Sequence, residues 1–201
     1  TATCTAVVTV VDSVDPSSVC QNLTLQLNLN GTASTTAAAV GSASTDACGI
    51  ASMSLSQTAF GCSDVGNNTE VLTVTDVNGN TSTCSTVITV QDLIAPQAAC
   101  QNVTVYLGNT GQGNTSAGAI DHGSSDACGI STVVASNTAF NCANLGPNTV
   151  ILTVTDVNGN TSTCSATVNV RDSLDPSITC PANMTLVADT MTCMAIGTWN
   201  L

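Results

Sequence analysis

Apolar and polar residues alternate along much of this chain, and clusters of Asn and Gly interrupt the alternation. The run VLTVTD alternates, VNGN follows it, and TSTCSTVITV alternates again. Two alternating runs on either side of Asn-Gly are typical of a β-hairpin. In a second copy of this pattern, Cys164, Ala166, Val168 and Val170 share one face of the second arm. We expect that face to point into a core.

The stretch LTVTDVNGNTSTCS occurs twice without change, at 72–85 and at 152–165. Many Cys, Asp and Pro positions recur at the same offset, so the repeating unit is about 80 residues long. The runs LTLQL and VTVYL predict the first strand of each unit. We therefore predict four segments: 1–15 as the last strand of a preceding repeat, 16–95 and 96–175 as two complete repeats, and 176–201 as the first strands of a following repeat. On this reading the chain begins and ends inside a unit.

Composition favours strands over helices throughout the chain. Thr, Val, Ser and Ala dominate, there is one Glu and no Lys, and aromatic residues make up 2%. Short alternating strands separated by Gly and Asn turns predict an all-β fold, with tandem immunoglobulin-like antiparallel β-sandwich domains. A core of Val, Leu and Ala buries little area per side chain, so we expect disulfides to staple each domain.

Eleven cysteines with regular spacing indicate an oxidising compartment. Each complete repeat holds four, which allows three connectivities. In a sandwich whose first strand runs parallel to its last, the starts of both strands are neighbours, and residues that flank a short segment can close locally. The favoured pairs are Cys20–Cys84, Cys48–Cys62, Cys100–Cys164 and Cys128–Cys142. A bridge between neighbouring units, Cys84–Cys100, remains an alternative. Cys4, Cys180 and Cys193 are left for partners in another unit or another subunit.

The elements SSDACGI, TVTDVNGNTSTCSATVNVRD and CPANMTLVADTMTC carry a family resemblance. They resemble the hyalin repeat (HYR), which occurs in many copies in large secreted proteins, notably of Bacteroidota. The resemblance covers almost the whole chain, although the two complete repeats lack a second cysteine after the first strand, which the last unit has at Cys193. It implies an immunoglobulin-like fold and roles in adhesion or extracellular structure. It implies no catalytic residues.

The formal net charge is −12, with a single basic residue, Arg171. Nucleic-acid binding needs clustered Lys and Arg, so that class is excluded. No apolar run approaches the roughly 20 residues of a membrane span, so we expect no membrane insertion. Cations, neutral glycans and copies of the chain itself remain as partners.

Carboxylates and amides at alternate positions resemble the opening of a calcium loop. Asp76-Val-Asn78 and Asp156-Val-Asn158 show this spacing, although no Glu closes a twelve-residue loop. The same residues also simply form a tight turn. A second set of candidate Ca²⁺ ligands lies at the unit junctions, just before Pro16, Pro96 and Pro176: Asp12, Asp15, Asp92, Asp172 and Asp175. Asp46 and Asp126, beside the Cys-Gly pairs, can contribute to such a site or cap a turn.

Short Asp-Ser/Thr-apolar motifs are O-glycosylation sites in Bacteroidota, and three occur here, at Ser13, Ser173 and Thr190. His122 lies near Asp121 and Ser124, but it has no counterpart in the first repeat. We read it as an isolated surface histidine and expect no enzyme activity.

These observations predict a structural protein of the cell surface or extracellular space. Its repeats would form a filament, a fibre or the stalk of a giant adhesin, contacting copies of itself or neighbouring repeats of a longer chain. Two alternatives remain: a glycan- or protein-binding adhesion module, and a spacer region of a secreted enzyme. The shortage of Trp and Tyr weakens the glycan-binding alternative, because these rings are the usual stacking surfaces for sugars.

Overall fold

A computed structural model describes residues 1–180, 186–188 and 190–191. The predicted all-β class is confirmed: the chain forms two immunoglobulin-like, β-sandwich-like domains that correspond to the two complete repeats. The elements of the first repeat are β1 (Leu23–Gln26), β2 (Thr32–Ser34), α1 (Ala37–Gly41), β3 (Ile50–Leu55), β4 (Ala59–Gly61), a 3-10 helix (Cys62–Asp64), β5 (Gly66–Asp76) and β6 (Thr81–Gln91).

The second repeat has the same elements in the same order. They are β7 (Val103–Tyr106), β8 (Gln112–Asn114), α2 (Ala117–Ile120), β9 (Ile130–Ala135), β10 (Ala139–Asn141), a 3-10 helix (Cys142–Asn144), β11 (Gly146–Asp156) and β12 (Thr161–Arg171). Residues 1–16 contain no strand, and much of 176–201 lies outside the described residues. The assignment of these two segments to neighbouring repeats therefore stays a prediction.

Each repeat contains a four-stranded and a two-stranded sheet. The strand order is β1-β6-β5-β3 in the first repeat and β7-β12-β11-β9 in the second, with β2–β4 and β8–β10 as the small sheets. The predicted hairpin is β5–β6, whose register pairs Leu72 with Cys84 and Thr75 with Thr81. The first strand runs parallel to the last, as expected, and Leu23 pairs with Ile88.

The core of each repeat is made by the inward face of the long hairpin. Leu72, Val74, Ile88 and Val90 are all buried in the first repeat. In the second repeat, Val168 and Val170 are buried with Ala166, and Cys164 packs against them, as the alternation predicted. Each core contains one aromatic ring, Phe60 or Phe140, which is consistent with a fold that also uses covalent cross-links.

The short helices cover one edge of each core, and both begin at a hydroxyl cap. Thr36 Oγ1 accepts a hydrogen bond from Ala39 N at 3.2 Å, and Ser116 Oγ accepts one from Ala119 N at 3.1 Å. Such caps satisfy a main-chain N–H that has no partner inside the helix. They position Val40 and Ile120, both fully buried, against the hairpin strands.

Candidate functional site

Two disulfides lie within the repeats and are the long-range pairs that the sequence favoured. Cys20 is bonded to Cys84, and Cys100 to Cys164, with a Cα–Cα distance of 5.9 Å in each. Each bond ties the segment just ahead of the first strand to the last strand, beside the parallel pairing. The two strands therefore start from a covalently fixed point.

The third disulfide corrects the predicted local pairs. Cys62 is bonded to Cys128, at a Cα–Cα distance of 5.2 Å, so this bond joins the two repeats. The predicted pairs Cys48–Cys62 and Cys128–Cys142 are wrong, and so is the alternative bridge Cys84–Cys100. The reason is the strand β3 (Ile50–Leu55), which lies between Cys48 and Cys62. Six residues of strand carry the chain roughly 20 Å, from one end of the repeat to the other.

The two ends of this bond lie on opposite sides of the junction between repeats. Cys62 begins the 3-10 helix at the end of the first repeat that faces the second. Cys128 follows Asp126, whose Oδ1 accepts hydrogen bonds from Cys128 N at 2.8 Å and from Gly129 N at 3.2 Å. Both cysteines are half-buried. An Asx turn on one repeat thus holds its cysteine against a helical turn on the other.

Gly31 of the first repeat packs closely against the second repeat, and the sequence pattern gave no indication of this role. Its φ is 70°, and a Cβ placed on it would lie 2.7 Å from Cys62 Sγ and 3.2 Å from the Cβ of Ala127. The position therefore requires glycine for its conformation and for its space. A shallow pocket beside it is lined by residues from both repeats: Leu29, Ile94, Ala95, Gln97, Ser125, Asp126 and Ala127.

The hairpin turn of each repeat holds the linker that precedes that repeat. Asp156 Oδ1 accepts hydrogen bonds from Asn158 N at 2.9 Å and Asn160 N at 2.8 Å, and its Oδ2 accepts one from Asn160 Nδ2 at 2.8 Å. The same amide donates to the main-chain oxygen of Asp92 at 3.2 Å. Asp76 and Asn80 repeat this arrangement and reach Asp12 O at 3.3 Å. The Asp-Val-Asn-Gly-Asn motif is thus a turn and a clamp on the linker.

Hydrogen bonding also sets the ionisation of these turn carboxyls. Burial alone would raise the pKa of Asp76 and of Asp156, but the hydrogen bonds from the side chain and main chain of Asn80 and Asn160 outweigh it. The net effect lowers the pKa of both groups. The main-chain amides bond to the charged form, so both oxygens of each carboxylate accept hydrogen bonds within the turn. This gives the carboxylates a structural role, and calcium at these positions stays a prediction.

The linker carboxylates give a more open arrangement. Asp92 is 7% exposed; its Oδ1 accepts from Ile94 N at 3.0 Å, while its Oδ2 has no hydrogen-bond partner. Asp126 lies beside it, with ligand atoms of Asp92, Asp126 and Cys128 within 4.8 Å of one another. Asp12, Asp46 and Cys48 form the same cluster at the other end of the first repeat. Since Cys128 is in a disulfide, two carboxylates remain there, and calcium at this position stays a prediction.

The other candidate ligands and modification sites lie on the surface. Asp15, Asp172 and Asp175 are exposed, and Asp172 Oδ1 accepts from Leu174 N at 3.1 Å. Ser13, Ser173 and Thr190 are exposed as glycosylation requires, although their modification stays a prediction.

Near His122, the Ser124 hydroxyl donates to Asp121, whose pKa is lowered chiefly by that bond. The serine hydroxyl is therefore engaged by a carboxylate in a local turn, and His122 itself is exposed.

The remaining cysteines of the described part of the chain are exposed thiols: Cys4, Cys48, Cys142 and Cys180. Cys193 lies outside the described residues. In the described part of the chain, no helix is long and apolar enough to cross a bilayer.

Comparisons with known proteins give structural similarity alone. No family model matches the chain, and no curated protein matches it. Among solved structures, the chain is similar to human mucin-like protocadherin EC1-2, with 12% identity over 79% of this chain and 98% of that one, at a TM-score of 0.35. It is also similar to the fibronectin(III)-like modules of Clostridium thermocellum CbhA, with 12% identity over 81% and 96% of the two chains and a TM-score of 0.27. These neighbours are cadherin and fibronectin-III-like β domains, and similarity at this level says nothing about activity.

Proposed function

We propose that this chain is part of an extracellular structural protein, in which such repeats follow one another in a filament, a fibre or a surface stalk. The observation that carries the proposal is the Cys62–Cys128 bond between successive repeats. A flexible linker alone would let two binding modules move independently. A covalent bond beside the linker instead fixes the spacing and direction from one repeat to the next.

Two further observations support a repeated, persistent geometry. The elements of the second repeat follow those of the first in order, the strands have the same lengths, and the sheet topology is the same. Three disulfides in the described part of the chain suit an oxidising extracellular environment. The proposal assigns no catalytic residue and takes further repeats of the same kind as the partners.

Composition also suits exposure to proteases, because Arg171 is the only site for trypsin in the chain. Digestion with trypsin and with a protease that does not need Lys or Arg, before and after reduction, tests this point. We expect the folded protein to resist both enzymes. After reduction, we expect the second protease to degrade the chain, whereas trypsin should cut it only at Arg171. If reduced protein were degraded equally by both, composition would give no protection.

Electron microscopy of the protein as it is secreted tests the proposal directly. The longest strands have 11 residues, which corresponds to roughly 35–40 Å of length, so fibres should show an axial period close to that value. Reduction should weaken the regularity of the period before it unfolds the repeats. Dispersed particles, with no polymer at any salt or calcium concentration, would refute the structural role.

A further inference from the structure

Cys48 and Cys142 occupy the same local structures as the two cysteines that join the repeats. Cys142 begins the second 3-10 helix (Cys142–Asn144), as Cys62 begins the first. Cys48 follows Asp46, whose Oδ1 accepts from Cys48 N at 2.8 Å and from Gly49 N at 3.0 Å. This is the Asx turn that presents Cys128. Each repeat therefore has one cysteine of each kind, at opposite ends.

The surroundings of Cys142 match those of Cys62 closely. Cys142 Sγ lies 3.8 Å from Gly111 O, and Cys62 Sγ lies 3.7 Å from Gly31 O. Gly111 has a φ of 69°, against 70° for Gly31. A Cβ on Gly111 would lie 2.9 Å from Cys142 Sγ, compared with 2.7 Å between a Cβ on Gly31 and Cys62 Sγ. The receiving side of the junction is thus already formed at the far end of the second repeat.

The difference between the two positions is the neighbouring repeat itself. A Cβ placed on Gly31 would next meet Ala127 and the sulfur of Cys128, whereas a Cβ placed on Gly111 would meet only Cys142 within 4 Å among the described residues that are not its chain neighbours. Gly31 is buried and Gly111 is half-buried; Cys62 is half-buried and Cys142 is exposed. What covers Gly31 and Cys62 is an Asp-Ala-Cys-Gly segment, and the equivalent surface at Gly111 has none.

We infer that Cys142 and Cys48 are the two halves of a further disulfide between repeats. Cys142 forms a disulfide with the cysteine of an Asp-Ala-Cys-Gly segment in another repeat. Cys48 forms one with the cysteine that begins the 3-10 helix of another repeat. The inference deepens the proposed function and rests on it only in that the partner is a repeat of the same kind. Every junction then carries the same bond that Cys62 and Cys128 form.

The partner repeat has two possible sources, the same polypeptide or a second copy of this chain. The surfaces that would meet are lined by Asn109, Thr110, Asp172 and Leu174 on one side, and by Val14, Ser17, Thr45 and Ala47 on the other. If the partner is a second copy, residues 12–15 of one chain and residues 172–175 of the other would both occupy the linker position at the junction. One of the two segments must then move aside. A repeat of the same polypeptide needs no such movement.

Bond formation is a thiol–disulfide exchange with an external disulfide such as oxidised glutathione. The Cys142 thiolate attacks a sulfur of the oxidant, forming a mixed disulfide and releasing one glutathione thiolate. The Cys48-type thiolate then attacks the Cys142 sulfur and releases the second. Two protein thiols are oxidised to one disulfide and one oxidant disulfide is reduced to two thiols, which take up the two protons. A hydrogen bond to Asp12 and the negative charge of its carboxylate raise the pKa of the Cys48 thiol.

The first experiment maps the bonds in the protein as it is secreted. Free thiols are blocked with N-ethylmaleimide, the protein is digested without reduction, and the peptides are identified by mass spectrometry. We expect the peptide that contains Cys142 to be linked to a peptide with an Asp-x-Cys-Gly element from another repeat. Alkylated Cys142, or Cys142 bonded to Cys128, would overturn the inference. Fibres without this bond would refute the inference and leave the proposed function intact. The bond without fibres would support the inference and refute the proposed filament.

The second experiment identifies the source, using the 201-residue chain with Cys4→Ser, Cys180→Ser and Cys193→Ser to remove competing thiols. It is oxidised in a glutathione buffer and run on non-reducing gels. If second copies supply the partner, this chain gives a ladder, Cys48→Ser alone and Cys142→Ser alone stay monomeric, and their mixture stops at dimers. If the mixture forms no dimers although the Cys142 bond is present in the secreted protein, the partner repeat belongs to the same polypeptide. Dimers of Cys48→Ser alone would refute the pairing.

Discussion

Replacing the bond between repeats, in the variant Cys62→Ala/Cys128→Ala, should weaken both repeats at once. The bond closes a loop with a sequence separation of 66 residues. In the chain-entropy model a loop of that size is worth about 4 kcal/mol against complete unfolding. If one repeat unfolds while the other stays folded, the restrained segment runs only from one cysteine to the linker. That is roughly 30 residues, still worth about 4 kcal/mol.

The same restraint therefore protects each repeat singly, yet it counts only once when both unfold. After one repeat opens, opening of the other should lose about 3 kcal/mol of its protection, so the bond couples the stabilities of the two repeats. Set against a net stability of about 5–15 kcal/mol for a domain, this coupling is large. A junction held by the linker alone would give no such coupling.

Hydrogen exchange in increasing urea, measured separately for the β5–β6 and β11–β12 hairpins, resolves the two repeats. We expect the opening free energy of both hairpins to fall by about 4 kcal/mol in the variant. The matched control is Cys20→Ala/Cys84→Ala, which removes a loop of separation 64 inside the first repeat. It should lower the first hairpin by a similar amount and leave the second unchanged. A Cys62→Ala/Cys128→Ala variant that weakened a single repeat would refute the reasoning.

Three further predictions test individual residues. Gly31→Ala should reduce the yield of the Cys62–Cys128 bond after oxidative refolding, because it adds about 1–2 kcal/mol of strain from the left-handed backbone conformation and places a Cβ against Ala127. The control Gly111→Ala introduces the same strain away from that bond and should leave the yield of the bond unchanged. Asp76 and Asp156 have lowered pKa values, so the stability that their carboxylates contribute is complete above about pH 4 and is lost as the pH falls through their pKa values in the folded protein. The Tm of the wild type should drop steeply in that pH range. The Tm of Asp76→Asn/Asp156→Asn should be lower at neutral pH and should drop less. Glu70 is buried with Ser56 as its hydrogen-bond partner, whereas Val150 lies at the equivalent position of the second repeat. Burying a carboxyl group costs free energy, so Glu70→Val should raise the urea midpoint of the first repeat at pH 7. A lower midpoint would show that the hydrogen bond from Ser56 outweighs this cost.

The hairpins, the inward faces and the long-range disulfides could be predicted from sequence because they depend on local rules. Alternation places Val168 and Val170 on the core face, Asn-Gly makes the turn, and the parallel first and last strands bring Cys20 next to Cys84.

The junction could not be predicted in this way, because it depends on which end of the repeat each cysteine occupies. Cys48 and Cys62 are close in sequence, and closeness suggested a local loop. The length of β3 (Ile50–Leu55) between them was the signal against it, since a six-residue strand separates its ends by roughly 20 Å. Gly31 gave no signal of its own, because its role appears only when Ala127 of the next repeat packs against it.

The position of the Cys20–Cys84 bond also determines how a repeat responds to tension along the chain. A pull applied ahead of Cys20 and beyond β6 (Thr81–Gln91) passes through the sulfur atoms and then along the last strand. The segment between the two cysteines, with a sequence separation of 64, carries no load and cannot be drawn out while the bond is intact. An unbridged segment of that length would extend by roughly 200 Å at about 3.3 Å per residue. A string of such repeats would therefore stretch very little before its covalent bonds themselves were loaded.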